Sequence, residues 1–207
     1  MFSFISEGQT VWYETAEEEV IYKKTKIISQ NPNTQKATIQ LPGLNKMQEN
    51  INFTAFQQCS ESTDHTTFDD MVVMDVMNEA EILWNMKKRF LKDQIYSYIG
   101  NTLLFLNPYK EMSQEFDQDT LHSFKNEGNN RPHIYALANT AFRQLTKTKK
   151  NQAIVISGES GAGKTENAKF CMRFLTCWNN EEEGAGHCVL EGKLQLEAEI
   201  DIGNNLY

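Results

Sequence analysis

The chain reads as an α/β fold built around a phosphate-binding glycine loop, with a small β unit in front of it. Three neighbouring observations predict this. Gly158, Glu159, Ser160, Gly161, Ala162, Gly163, Lys164 and Thr165 match the P-loop pattern G-x-x-x-x-G-K-[ST] at every fixed position. The six residues before them, Gln-Ala-Ile-Val-Ile-Ser, read as a buried strand. After them, Ala168, Cys171, Met172 and Leu175 recur at helical spacing. Strand, glycine loop and helix in that order are the context such a motif requires. By average residue usage the four fixed positions coincide by chance in roughly one chain in a hundred of this length. The flanking elements make coincidence rarer still.

The chemistry follows from the residue types. A nucleoside triphosphate brings several negative charges to one place. Backbone N–H groups of a glycine loop and the positive end of the following helix answer them. Gly158, Gly161 and Gly163 open backbone angles closed to other residues and permit close approach of phosphate. Lys164 is the candidate point charge on the β- and γ-phosphates, and Thr165 the candidate hydroxyl ligand of Mg²⁺.

The 207 residues allow one large or two small domains, and 40% apolar residues suffice for a packed core. A net charge of −8 with no long basic stripe argues against nucleic acid as a partner. Lys147-Thr148-Lys149-Lys150 is a short basic run suited to a helix end. Cys59, Cys171, Cys177 and Cys188 form no C-x-x-C pair and read as reduced thiols, not as a metal site or disulfide frame. No apolar run reaches membrane-spanning length, and residues 1–10 lack the pattern of a secretory leader. A cytoplasmic protein is expected.

From the start, residues 10–13, 19–22, 26–29 and 37–41 are short runs rich in β-branched and aromatic residues. Asn31-Pro32-Asn33 and Pro42-Gly43 supply turn signals. They define a β unit over 1–44, with Trp12 and Tyr13 on opposite faces of one strand. Residues 45–68 are polar and irregular, and read as a linker or surface strand. Residues 69–207 form the larger part. Asn78 and Glu81 there fit a helix N-cap and its capping-box partner, with Met77 and Ile82 as hydrophobic staple. Leu83, Met86 and Phe90 continue an apolar face over about three turns. Residues 95–99 and 102–106 are strands joined by the hairpin dipeptide Gly100-Asn101. Residues 117–124 fit a short helix. Pro132 fits a first helical position. Ile134, Leu137, Ala138, Ala141, Phe142 and Leu145 then mark an amphipathic helix that leads into the strand before the loop. Residues 179–186 read as an acidic exposed loop, and 189–198 as a resumed helical pattern at Leu190, Leu194 and Glu197.

The loop and its continuation, Gly-Glu-Ser-Gly-Ala-Gly-Lys-Thr-Glu-Asn-Ala-Lys-Phe at 158–170, closely resemble the P-loop of the myosin motor head. So do Asn78-Glu79-Ala80 with Ile82-Leu83, Ile95-Tyr96-Ser97-Tyr98-Ile99-Gly100, Asn107-Pro108-Tyr109-Lys110, and the run from Pro132 to Ala138. In order and spacing the resemblance covers about 69–175. Residues 1–44 are similar to the small SH3-like barrel that many myosins carry before the motor, chiefly at Val11-Trp12 and in strand spacing.

The resemblance implies an α/β P-loop NTPase fold, the N-terminal portion of a myosin motor, behind an SH3-like β-barrel. It implies ATP and Mg²⁺ at 158–165 and the adenine near Asn107, Pro108, Tyr109 and Lys110. On its own residues, that tetrapeptide is equally a turn ending a strand. A family tyrosine flanks the base a few positions later. Here Glu115-Phe116 stand there, so Phe116 either fills that place after a one-residue insertion or packs in the core. Residues 179–186 align with the family's variable loop near the nucleotide. Partners implied are actin filaments, light chains and the remainder of the motor, in the cytoplasmic actin cytoskeleton.

The family's hydrolysis chemistry rests on two further segments, of Asn-x-Asn-Ser-Ser-Arg and Asp-x-x-Gly-Phe-Glu type. Neither occurs in these 207 residues. They, the actin-binding regions, the relay and the lever arm follow this point in the family. The expectation is an ATP-binding portion of a motor that alone neither hydrolyses ATP appreciably nor binds actin. Strand edges completed by later sequence would leave it poorly stable in isolation. The alternative is a non-motor nucleotide-binding remnant or accessory P-loop protein. A non-motor kinase is disfavoured, because no Asp-containing strand is evident after the P-loop helix.

Overall fold

The computed structural model describes residues 5–15, 21–41, 47–125, 129–179 and 195–198. The acidic loop expected at 179–186 lies, beyond its first residue, outside them, as does Cys188. The chain divides into two compact units, Met1–Arg89 and Phe90–Tyr207.

The first unit is an antiparallel sheet of five strands in the order β4-β3-β2-β1-β5: β1 (Thr10–Glu14), β2 (Tyr22–Asn31), β3 (Lys36–Gln40), β4 (Met47–Asn52) and β5 (Phe56–Gln58). The run expected as a strand at 26–29 lies within the ten-residue β2, while of the run at 19–22 only Tyr22 belongs to it and residues 19 and 20 lie outside the described residues. Residues 45–68, expected as a linker or surface strand, supply β4 and β5 and the short helix α1 (Ser62–His65). Val11, Ile27, Ala37, Ile39, Phe53 and Phe56 form the core on one face. Alternation puts Trp12 on the opposite face from Val11, yet it too is buried.

What covers Trp12 is helix α2 (Glu79–Phe90). Asn78 caps it as expected, its Oδ1 accepting from Glu81 N at 3.0 Å. The rest of the expected capping box is absent. The Glu81 carboxylate is 0% exposed and accepts from Trp12 Nε1 and Ser60 N, both at 2.7 Å, and from the Thr63 hydroxyl. The helix also turns a different face inward than its apolar pattern indicates. Ala80, Glu81, Asn85 and Arg89 are buried, and Leu83 is 42% exposed. Partners distant in sequence decide this. Asn85 bonds both backbone groups of Phe68, at 2.9 and 3.0 Å, and Arg89 pairs with Asp69. A buried polar group is stable where it is hydrogen-bonded, as Glu81 and Asn85 are.

In the second unit a hairpin of β6 (Tyr96–Ile99) and β7 (Thr102–Phe105) turns tightly, with Ile99 paired to Thr102. Helix α3 (Gln118–Lys125) follows, and Asp117 Oδ1 accepts from Thr120 N at 2.7 Å at its start. That bond lowers the Asp117 pKa. Helix α4 (Ile134–Thr148) begins two residues later than Pro132 predicted. His133 is the N-cap, its Nδ1 accepting from Tyr135 N at 3.0 Å. Burial, and then the Arg131 charge, push the His133 pKa down to about 3, which keeps the imidazole neutral. Lys149, in the left-handed region at φ 55°, ends the helix.

Strand β8 (Ala153–Ile156) lies where a buried strand was expected, but only one of its faces is covered. Ile154 is buried and Val155 is 67% exposed. Helix α5 (Lys164–Asn179) follows the glycine loop. A fourth strand, β9 (Gln195–Ala198), pairs parallel to β8 with Ala153 opposite Gln195. This corrects the helical reading over 195–198, where a partner strand decides the conformation; the rest of that reading, 189–194, lies outside the described residues. The core collects Tyr96, Leu121, Phe124, Tyr135, Phe142 and Phe174 among others. Among the described residues no helix is long and apolar enough to cross a membrane.

Candidate functional site

The glycine loop of the second unit joins β8 to α5 through a backbone that other residues resist. Gly161 has φ 79° and Gly163 has φ 96°, both in the left-handed region. Gly163 has a second reason to be glycine. A Cβ there would lie 2.5 Å from Phe105 Cε1, so the loop rests directly on the β7 ring. At Gly161 an added Cβ would meet only the Tyr109 hydroxyl, at 3.9 Å. The loop is thus backed by an aromatic ring at one glycine and open at the other.

Lys164 is the first residue of α5, and its Nζ turns back across the loop. It donates to the carbonyls of Gly158 at 2.5 Å and Glu159 at 3.0 Å. Both acceptors are neutral backbone groups. Thr165 is exposed on the next position. The first N–H groups of α5 have no acceptor within the helix, and the helix dipole adds positive potential there. An ammonium, a hydroxyl and helix-start amides around glycines suit a polyphosphate with a divalent cation.

The residues at 107–110 come to this loop. Asn107 Nδ2 donates to Gly161 O at 2.8 Å, and its Oδ1 accepts from Tyr109 N at 2.9 Å. One amide therefore ties the end of the hairpin to the glycine loop. Tyr109 sits at φ 49° and is 83% exposed. Lys110 reaches Asp93, and Pro108 lines the adjoining cleft.

That cleft has a volume of about 460 Å³. Phe105, Asn107, Pro108, Phe116, Phe170 and Arg173 are among the residues that line it. Of the two readings left open for Phe116, packing in the core is seen directly. The residue borders the cleft, and its ring packs edge-on to Tyr96 and Tyr135 and flat on Phe170.

Three contributors were missed from sequence. Asn167 Nδ2 donates to Gly163 O at 3.1 Å, while its Oδ1 accepts from the buried Tyr96 hydroxyl at 2.8 Å. Burial raises the Tyr96 pKa, so that hydroxyl stays a donor. Phe170 and Arg173 reach the cleft from the second and third turns of α5. Only helical spacing from Lys164 could have pointed to them. Cys171, on the opposite side of the helix, is buried, and its thiol is pushed up to about 12 by burial. It is inert packing.

Residues 68–200 match the family model described as myosin head (motor domain). The chain is 40% identical over 177 residues to the myosin-M heavy chain of Dictyostelium discoideum, covering 84% of this chain and 10% of that protein. It is 42% identical over 124 residues to unconventional myosin-VI of Mus musculus, covering 59% of this chain and 10% of that one. Over 130 residues it is 36% identical to myosin-2 of Arabidopsis thaliana, covering 63% of this chain and 11% of the relative. The chain spans about a tenth of the length of these relatives. With most of its length matched by the motor-domain model, it belongs to the myosin head family.

Proposed function

We propose that the second unit is the nucleotide-binding portion of a myosin motor with a P-loop NTPase fold, and that its ligand is ATP with Mg²⁺. Gly158, Glu159, Ser160, Gly161, Ala162 and Gly163 wrap the phosphates with backbone N–H groups. Lys164 leaves its two carbonyl partners to meet the β- and γ-phosphates, and Thr165 offers its hydroxyl to the cation. The cation, when bound, neutralises charge on the phosphate oxygens. Asn107, Pro108, Tyr109 and Lys110, with Phe116, flank the adenine. The antiparallel sheet of the first unit is the SH3-like barrel of this family. In a complete motor this site couples ATP hydrolysis to movement on actin filaments, with light chains as further partners, in the cytoplasmic actin cytoskeleton. These 207 residues contain neither switch sequence. The chain by itself therefore binds nucleotide and turns it over negligibly.

The observation that carries this reading is the Lys164 ammonium held over the glycine loop by the Gly158 and Glu159 carbonyls. The test is a titration of the full chain with a fluorescent ATP analogue in Mg²⁺. Saturable binding that Lys164→Ala weakens by about a hundredfold or more supports it. Equal binding by both proteins, or none by either, overturns it. A steady-state assay gives the second half. Turnover near the ~10 s⁻¹ of ordinary enzymes would contradict the negligible rate.

A further inference from the structure

Gly163 stands where the Phe105 ring leaves no room for a side chain, and at φ 96°. Glycine meets both demands, but its backbone freedom lets the peptide that joins it to Lys164 swing. A trans peptide is planar, with its N–H and C=O pointing opposite ways. The Gly163 carbonyl therefore decides where the Lys164 amide points. That carbonyl accepts twice from Asn167, from the backbone N and from the side-chain Nδ2, each at 3.1 Å. Both donors lie one turn along α5. The Gly163 oxygen thus faces into the helix, and the Lys164 N–H faces out of its start. The way round of the Asn167 amide follows from its partners. A carbonyl only accepts, so Nδ2 faces Gly163, and Oδ1 is left to accept from the Tyr96 hydroxyl at 2.8 Å. Asn167 is 4% exposed and Tyr96 2%, so water does not compete for this bond. Tyr96 is paired across the hairpin with Phe105, their ring centroids 5.2 Å apart. Two facing residues of one hairpin therefore act on one glycine. Phe105 excludes any side chain there, and Tyr96, through Asn167, fixes the peptide that follows.

We propose that Asn167 and Tyr96 are positioning residues of the glycine loop, which hold the peptide between Gly163 and Lys164 with its N–H turned toward the phosphate. The proposal rests on the nucleotide reading above. Neither residue touches the ligand. They act in series, the Tyr96 hydroxyl setting the Asn167 amide and that amide setting the Gly163 carbonyl. The pair restores at one peptide the rigidity that glycine gives up. Its effect falls on phosphate affinity whatever base the nucleotide carries.

Competition binding on the full chain tests this, with a fluorescent ATP analogue displaced by ATP and, separately, by inorganic tripolyphosphate, both in Mg²⁺. Asn167→Leu removes the amide at similar size and is expected to weaken both ligands in parallel by about tenfold. Tyr96→Phe removes one oxygen and keeps the ring, and should weaken both by about threefold. Because the two act in series, the double variant should bind no more weakly than Asn167→Leu. Leu121→Ala opens the same core away from the loop. It should lower the melting temperature and leave both affinities within about twofold. If Asn167→Leu does not fold by circular dichroism, the milder Tyr96→Phe decides on its own. Unchanged affinities in the folded variants overturn the proposal. So do a loss confined to ATP, losses that multiply in the double variant, and an equal loss in Leu121→Ala. In each of these cases wild type still binds and the phosphate site stands. If wild type binds neither ligand, the site reading itself fails and this inference with it.

Discussion

Glu81 and Lys164 are two charged side chains with opposite surroundings, one in each unit. Glu81 is fully buried, and the chain itself supplies its donors: an indole, a backbone amide and a hydroxyl. Lys164 stands at a loop mouth, bonded to two carbonyls that the solvent could replace. The first arrangement is closed and serves folding. The second is open and can exchange its partners for a ligand. A buried charge is therefore not by itself a sign of function. Exchangeable partners are the better sign.

The comparison can be broken by exchanging each group. The largest effect is expected from Glu81→Ala, which leaves Trp12 Nε1 and Ser60 N buried without acceptors. It should cost about 3–5 kcal/mol of stability, read by urea unfolding on tryptophan fluorescence. Nucleotide affinity of the folded fraction should be unchanged, and a matching loss of affinity would erase the distinction. Lys164→Ala should do the reverse, losing about 2.7 kcal/mol of nucleotide affinity with a melting temperature near that of wild type.

His133 sharpens the contrast through pH. Its folded pKa is depressed to about 3 from an ordinary 6.5, so the unfolded chain binds the extra proton between those values. Its contribution to stability is complete above about pH 6.5 and is lost as pH falls toward 3. The slope approaches about 1.4 kcal/mol per pH unit in mid-window. Denaturation at several pH values should show the second unit losing stability there, and His133→Asn, which can still accept at the cap, should remove that slope. The smallest effect is expected at Asn78→Ala, about 1 kcal/mol from loss of the α2 cap, again by urea unfolding.

The elements legible in the sequence were those whose signal is local. The Gly100-Asn101 hairpin, the apolar stripe of α4 and the loop at 158–165 each depend on residues within a few positions of one another. What escaped depends on distant partners. Strands β4 and β5 are polar, and only pairing with β3 and β1 makes them strands. Strand β9 finds its partner 42 residues earlier, between Ala153 and Gln195. The buried side of α2 is polar because Trp12, Ser60 and Phe68 satisfy it from elsewhere. In the site, the glycine loop and the 107–110 turn were readable as motifs. The Phe116–Phe170 stack joins residues 54 positions apart and carries no motif.

Asn107 holds the hairpin end to the glycine loop through a single side-chain amide. Asparagine ages by cyclising onto the nitrogen of the next residue, and Pro108 has no N–H with which to begin that reaction. The tie is chemically durable for that reason. Conversion to aspartate, which would set a carboxylate against the Gly161 carbonyl and against incoming phosphate, is blocked by the neighbour in sequence.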